Sequence, residues 1–108
     1  MRYRRAMIRV FDRLKTARAY ERRHLAFLRT PEDHDLVCEI GYRQATGEPI
    51  TVKQIFLLGL GSVATVQRRL GRLRRLGVIN QRRCPRDRRS VEVTLSPKAV
   101  KEIGRAHV

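Results

Sequence analysis

Apolar residues recur at helical spacing along the first 28 positions and predict a long N-terminal helix. The apolar positions of this stripe are Tyr3, Met7, Val10, Phe11, Leu14, Ala17, Leu25 and Leu28. This spacing is typical of one face of an α-helix. The stripe is interrupted at Glu21 and His24, so the segment is either two helices or one helix with a weak middle.

A second helix is predicted to start at residues 30–33, which read Thr-Pro-Glu-Asp. A hydroxyl at the N-cap, a proline in the first turn and two carboxylates all favour a helix N-terminus. This helix directs Leu36, Val37 and Ile40 inward and fades toward Gly47.

Two shorter helices follow, joined by a glycine turn. Residues 51–54, Thr-Val-Lys-Gln, form a capping box and predict a short helix to about Leu58. Its inward residues are expected to be Ile55 and Leu58. After Gly-Leu-Gly at 59–61, Ser62 caps a longer helix that runs to about Leu76 and stops at Gly77. The buried stripe of that longer helix is Val66, Leu70 and Leu73.

Beyond Gly77 the apolar period changes from helical spacing to alternation. A strand is predicted from Val78–Ile79 to Cys84, followed by a charged turn at 85–89 and a second strand. In that second strand the inward residues are Val91, Val93 and Leu95, and the outward residues are Glu92 and Thr94. Ser96 caps a last helix, from Pro97 to about Ile103, which is expected to close at Gly104.

These elements predict a mostly α-helical fold with a small β-hairpin. Two helices joined by a tight glycine turn form a helix-turn-helix, and the hairpin after the second helix is a wing. The sequence thus predicts a winged helix-turn-helix domain over residues 30–108. Residues 1–29 form an added N-terminal helix, which serves either in packing or in dimerisation.

The charge of the chain points to nucleic acid as its partner. Lys and Arg number 25 against 10 Asp and Glu, a net charge of +15, and such a field suits a polyanion. Residues 1–29 carry +8 and residues 51–89 carry +10, whereas residues 30–50 carry −4. Sequence-specific RNA readers usually expose aromatic rings. The six Phe and Tyr here fall mostly at core-like positions, which favours double-stranded DNA.

The second helix of the helix-turn-helix is the candidate recognition helix. Within it, five of the eight residues from 68 to 75 are arginine. No acidic residue lies four positions from them, whereas an ordinary solvated helix face would pair such charges. In the major groove, Gln67 can read adenine and Arg68 or Arg69 can read guanine. Later arginines such as Arg72 suit phosphates. The predicted DNA-binding residues of this helix, placed over 62–76, are Ser62, Thr65, Gln67, Arg68, Arg69 and Arg72.

The wing, over residues 82–91, supplies further arginines that suit a minor groove. The DNA-binding candidates here are Arg86, Arg88 and Arg89. Asp87 has two interpretations: it is either a plain turn former or a partner that orients the Arg89 side chain.

At this point the sequence resembles the MarR-type winged-helix transcriptional regulators. The wing pattern of that family, Asp-x-Arg, five residues and Leu-Ser, stands here as Asp87, Arg89, Leu95 and Ser96. The recognition-helix pattern is met by Ser62, Thr65, Val66, Leu70, Leu73, Gly77, Val78 and Ile79. Thr51 and Ile55 fall on the family's first helix-turn-helix positions. The resemblance implies that Arg89 enters the minor groove and that residues 65–69 face the major groove.

Several positions depart from the family pattern. Phe56 stands where the family has a small residue, Ala99 stands where it has glycine, and the turn reads Gly-Leu-Gly. The sequence ends at Val108, where family members continue into long C-terminal helices that form the dimer and the effector pocket. The expectation is therefore a homodimer through the N-terminal helix, with the effector unknown.

Other function classes find little support in the sequence. The three histidines are isolated and no phosphate loop or metal motif appears, so an enzyme, a cofactor and a metal are not expected. Cys38 and Cys84 are expected to be buried or half-buried in a reducing cytoplasm, and no membrane span is expected. The alternative hypothesis is a winged helix that binds RNA or protein in a replication, mobile-element or phage assembly.

Overall fold

The computed structural model describes residues 2–106, with five helices and one three-stranded antiparallel sheet in that range. The elements in chain order are α1 (Arg2–His24), α2 (Pro31–Ala45), β1 (Ile50–Thr51), α3 (Val52–Phe56), α4 (Val63–Arg75), β2 (Ile79–Arg83), β3 (Val91–Leu95) and α5 (Pro97–Arg105). The sheet order is β1-β3-β2. The predicted fold class, mostly helical with a small hairpin and an added N-terminal helix, is confirmed.

Helix α1 is a single element of 23 residues, about 35 Å long at 1.5 Å per residue. Every side chain described from position 3 to position 16 is exposed, including Tyr3 at 72% and Phe11 at 55%. The first part of the predicted stripe, Tyr3 to Leu14, therefore does not enter the core, whereas Leu25 is buried and Leu28 packs against the core. The molecule measures 60 × 27 × 22 Å. Near the end of α1, the Tyr20 hydroxyl donates a hydrogen bond to the Glu102 carbonyl in α5 at 2.8 Å.

The core lies between α2, α3, α4, α5 and the sheet. Its buried residues are Leu36, Val37, Ile40, Ile50, Ile55, Val66, Leu70, Leu73, Val78, Ile79, Val93, Leu95 and Ala99. The inward positions predicted for α2 and α4 are all in this set. Leu58 is not: it is 39% exposed, because α3 ends at Phe56 and the chain tightens into a turn before reaching it. Phe56 is half-buried and packs against the core instead.

Strand β1 was not predicted, because two residues are too few to show an alternating pattern. Ile50 pairs with Val93 and Thr51 pairs with Glu92 on the inner strand β3. This added edge helps to explain why Glu92 is only 8% exposed, where the alternation predicted an outward residue. Burial of the carboxylate is balanced by a salt bridge to Arg82 across the hairpin.

The predicted ends of the helices are partly confirmed. Thr30, Thr51, Ser62 and Ser96 all act as N-caps whose side chains accept a hydrogen bond from the backbone. Gly77, with φ of +74°, reverses the chain just after α4, a conformation that L side chains rarely adopt. The expectation that Gly104 closes the last helix is wrong, because α5 continues through it to Arg105.

Candidate nucleic-acid interface

Helices α3 and α4 form the predicted helix-turn-helix, and a hydroxyl pair fixes the N-terminus of α4. Ser62 Oγ accepts a hydrogen bond from the Thr65 amide at 3.2 Å and also donates one to Thr65 Oγ1 at 3.0 Å. The preceding turn has positive φ at Gly59 and Gly61, +73° and +130°. The two predicted contact residues Ser62 and Thr65 are thus bonded to each other at the helix start.

The exposed face of the first turns of α4 presents one amide and one guanidinium group. Gln67 and Arg68 are both exposed. Arg68 Nη2 lies 3.4 Å from Thr65 Oγ1, and no salt bridge to Arg68 is found within residues 2–106. Both side chains are thus exposed, and their contact with DNA stays a prediction.

Two other arginines of α4, Arg69 and Arg72, point toward the protein instead. Arg69 Nη1 lies 3.0 Å from Asp33 Oδ1 and Arg72 Nη2 lies 2.9 Å from Asp33 Oδ2. Their side chains are 20% and 19% exposed, against 1% for Asp33. No acidic residue lies four positions from these two arginines within α4, as the sequence shows. They nevertheless have an acidic partner, which lies on α2.

Asp33 is held by four hydrogen bonds altogether. Besides the two guanidinium groups, its Oδ2 accepts from the backbone amides of Arg29 at 3.0 Å and Thr30 at 3.2 Å. Burial alone would raise the pKa of the Asp33 carboxyl. The hydrogen bonds from Arg69 and the Arg29 amide, with the charges of Arg72 and Arg69, outweigh burial and lower that pKa below its ordinary value.

No sequence signal could have assigned this role to Asp33. Its position at the third residue of α2 explains the capping box with Thr30, whereas the sequence predicted only a carboxylate that favours a helix N-terminus. The arginines that it pairs with lie 36 and 39 positions later. Only the packing of α2 against α4 brings them together.

Two further arginines, in the last turn of α4, complete the basic helix. Arg74 and Arg75 are both exposed. Arg74 Nη1 lies 3.4 Å from Gln81 Oε1 on the first wing strand. This end of α4 therefore presents positive charge beside the wing.

The wing tip is organised by Asp87 through backbone contacts. Asp87 Oδ1 accepts from the Arg89 amide at 3.0 Å, and Asp87 Oδ2 accepts from Ser90 Oγ at 3.3 Å. Within the described residues Asp87 forms no side-chain ion pair with Arg89. The structure thus favours the turn-former interpretation, in which Asp87 sets the backbone of Arg89 and leaves its guanidinium group free.

Further contacts stiffen the hairpin below the tip. Arg83 Nη1 donates to the Arg88 carbonyl at 2.7 Å, and the Cys84 amide donates to the Ser90 carbonyl at 2.9 Å. The three predicted DNA contacts of the wing, Arg86, Arg88 and Arg89, are exposed. A stiff hairpin with free arginines at its tip is suited to a groove or a phosphate backbone.

The remaining chemistry of the described residues is sparse. Residues 2–106 contain no group of three or more His, Cys, Asp or Glu that could hold a metal ion. No helix in the same range combines the length and the apolar character that a membrane span requires. Cys38 is exposed, contrary to the expectation of burial, whereas Cys84 is partly buried as expected.

The comparisons with known proteins rest on structure alone, since no family model and no curated protein matches the sequence. The S. aureus MepR–DNA complex is similar over 95% of this chain and 78% of that one, with TM-score 0.69 and 19% identity. S. aureus MepR bound to ethidium bromide has TM-score 0.74 and 19% identity, over 98% of this chain and 71% of that one.

A third similar structure is a mutant MarR from E. coli complexed with operator DNA. Its TM-score is 0.59 at 23% identity, and the match covers 94% of this chain and 69% of that one. These identities are low, so the likeness concerns the fold, and at that level it confirms the resemblance seen in the sequence. The chain has the winged-helix fold of the MarR-type transcriptional regulators.

Proposed function

We propose that this chain is a transcriptional regulator that binds double-stranded DNA, with α4 in the major groove and the wing at the adjacent minor groove. The observation that carries the proposal is the pair of exposed side chains, Gln67 and Arg68, in the first turns of α4. Recognition helices touch base edges with these turns. Similar structures were solved with DNA bound, which supports DNA as the partner of this fold.

The contacts divide into base readers and backbone holders. Gln67 can form a bidentate contact with adenine and Arg68 with guanine. Ser62, at the N-terminus of α4, suits a phosphate, and Thr65 is proposed to face the major groove beside Gln67. In the wing, Arg89 is proposed for the minor groove, with Arg86 and Arg88 on the flanking backbone. No catalytic role is proposed for any residue, and the site of action is the cytoplasm.

The chain is proposed to act as a homodimer joined through α1. An isolated helix with an exposed stripe gains little stability from propensity alone, and burying that stripe against a second copy would cover it. The apolar side chains concerned are Tyr3, Met7, Val10, Phe11 and Leu14. Two copies on one face of a duplex would place their α4 helices about 34 Å apart, one turn of DNA.

The proposal is tested by selecting duplexes from a random pool at rising salt, beside a pool of structured RNA. We expect an enriched DNA motif with two half-sites one helical turn apart. If binding to DNA and to RNA falls equally with rising salt and no motif is enriched, the chain is not a sequence-specific regulator. Enrichment of RNA alone would favour the assembly role instead.

Two substitutions then locate the contacts on the selected duplex. Gln67→Ala should relax the preference at one base pair, by about 1–3 kcal/mol for a bidentate contact. Arg89→Ala should weaken binding to all sequences and lower the salt slope by about 1. Arg13→Ala is the matched control, since Arg13 is an exposed arginine of α1 outside the proposed interface. If neither Gln67→Ala nor Arg89→Ala differs from this control, the docking geometry is wrong.

A further inference from the structure

One buried carboxylate occupies two of the five arginines of α4. Asp33 is 1% exposed, and its two oxygens lie 3.0 Å from Arg69 Nη1 and 2.9 Å from Arg72 Nη2. Away from bulk water, such charge-assisted contacts are screened less than those at the surface. The two guanidinium groups are therefore engaged inside the protein before any DNA arrives.

The same two arginines also contact the segment that joins α1 to α2. Arg69 Nη1 donates to Thr30 Oγ1 at 2.6 Å, and Arg72 Nη2 donates to the Phe27 carbonyl at 2.9 Å. Asp33 in turn accepts from the amides of Arg29 and Thr30. The cluster thus connects α4 to residues 27–33 by directional polar contacts, in addition to the apolar packing of the core.

We propose that Asp33 is a positioning residue for the recognition helix. It holds the side chains of Arg69 and Arg72 against the protein and thereby fixes the position of α4 relative to α2. Base reading is left to the exposed residues of α4. This inference rests on the proposed function of α4 in DNA binding. It replaces the sequence-based expectation that Arg69 and Arg72 contact DNA themselves.

Masking of two arginines has a measurable consequence for the salt dependence of DNA binding. Each arginine that neutralises a phosphate adds about 0.9 to the slope of log affinity against log salt. Arginines held by Asp33 add nothing to that slope. If Asp33 loses its charge, the two guanidinium groups can reach the phosphate backbone of bound DNA. These contacts raise the affinity for every DNA sequence and therefore reduce the discrimination between sequences.

The first test compares Asp33→Asn with Asp35→Asn on the selected duplex and on a random duplex. Asp35 is an exposed acid on the same helix, so both variants change the net charge equally. Asp33→Asn should steepen the salt slope by about 0.9 for each released arginine and lower the preference for the selected duplex at least threefold. A slope equal to that of Asp35→Asn would overturn the proposal.

A second variant keeps the test decisive should Asp33→Asn fail to fold. Asp33→Asn combined with Arg69→Gln and Arg72→Gln leaves no uncompensated charge in the cluster. The proposal expects a salt slope equal to that of the unaltered protein. A slope lower by about 1.8 would show two phosphate contacts and overturn it. Arg88→Gln, at an exposed wing arginine proposed to hold the DNA backbone, should lower the slope by about 0.9 and provides the positive control.

A separate readout distinguishes failure of this inference from failure of the proposed function. If the unaltered protein binds no duplex, the proposed function fails. The salt concentration at which each variant elutes from heparin, a polyanion, then still measures whether Asp33 masks the two arginines. Asp33→Asn should then elute at higher salt than Asp35→Asn, and the triple variant at or below the salt of the unaltered protein. Coelution of Asp33→Asn with Asp35→Asn would show that Asp33 masks no charge.

Discussion

The backbone amide of Arg89 donates a hydrogen bond to Oδ1 of Asp87 at 3.0 Å, so Asp87 positions the main chain at the wing arginine. The guanidinium group of Arg89 remains exposed. A salt bridge between the two side chains would have partly neutralised the charge that DNA attracts. The observed arrangement fixes the direction of the chain and leaves that charge available.

This relationship predicts different results for two substitutions of Asp87. Asp87→Ala removes the acceptor, loosens the tip and should weaken DNA binding by about 1 kcal/mol, the usual contribution of one such hydrogen bond. Asp87→Asn keeps an oxygen in the same place and removes a negative charge, so affinity should equal or exceed that of the unaltered protein. Affinity is measured by fluorescence anisotropy. An equal loss for both variants would show that the charge, rather than the turn, is what matters.

The contact between Tyr20 and Glu102 predicts how firmly α1 is attached to the rest of the chain. Tyr20→Phe removes only the hydroxyl that donates to the Glu102 carbonyl at 2.8 Å, and should lower the free energy of unfolding by about 1 kcal/mol. Tyr42→Phe is the control, because Tyr42 is 67% exposed. Urea denaturation compares the two. If they are equally stable, this hydrogen bond does not contribute to the attachment of α1.

The proposed dimer predicts that α1 is sensitive to polar substitution on one face only. Phe11→Ser places a hydroxyl in the exposed apolar stripe and should shift the sedimentation profile toward monomer. Arg9→Gln is the control, since residues two positions apart do not share a helix face. A profile that Phe11→Ser leaves unchanged would mean that another surface forms the dimer or that the chain is monomeric.

Local patterns in the sequence were sufficient for most of the fold. The N-cap at Thr30, the capping box at Thr51 and the stripe Val66, Leu70 and Leu73 are interactions over a few residues, and all are found in the structure. The prediction that Leu58 is buried was wrong, because the helical spacing was extended past Phe56, where α3 ends. Local spacing cannot show where a turn begins to tighten.

The candidate site was less predictable, because part of it depends on contacts between distant segments. The exposure of Gln67 and Arg68 agrees with their place in α4 as predicted from the sequence. The partner of Arg69 and Arg72 could not be identified, since Asp33 already had a sufficient local explanation as a helix cap. The sequence left open whether the α1 stripe packs on the core or is exposed, because an apolar face has the same pattern whether it meets a core or another chain.

The lowered pKa of Asp33 predicts how stability changes in acid. Its carboxyl has a lower pKa in the folded chain than in the unfolded chain, where the value is about 3.9. The unfolded chain therefore binds more protons between these two values. The contribution of Asp33 to stability is complete above the unfolded value and is lost as pH falls through the folded one.

Asp33→Asn should therefore change both the level and the pH dependence of stability. At pH 7 the free energy of unfolding should fall by about 3 kcal/mol, because removing one partner of a buried ion pair leaves charge uncompensated. The variant and the unaltered protein should converge only as pH falls from about 3.9 through the lowered pKa of folded Asp33, because protonation then removes the same charge. Urea denaturation from pH 7 to pH 2 measures this, with Asp35→Asn as control. A difference that stays constant over the whole range would mean that Asp33 stabilises the fold through its hydrogen bonds as a cap and not through its charge.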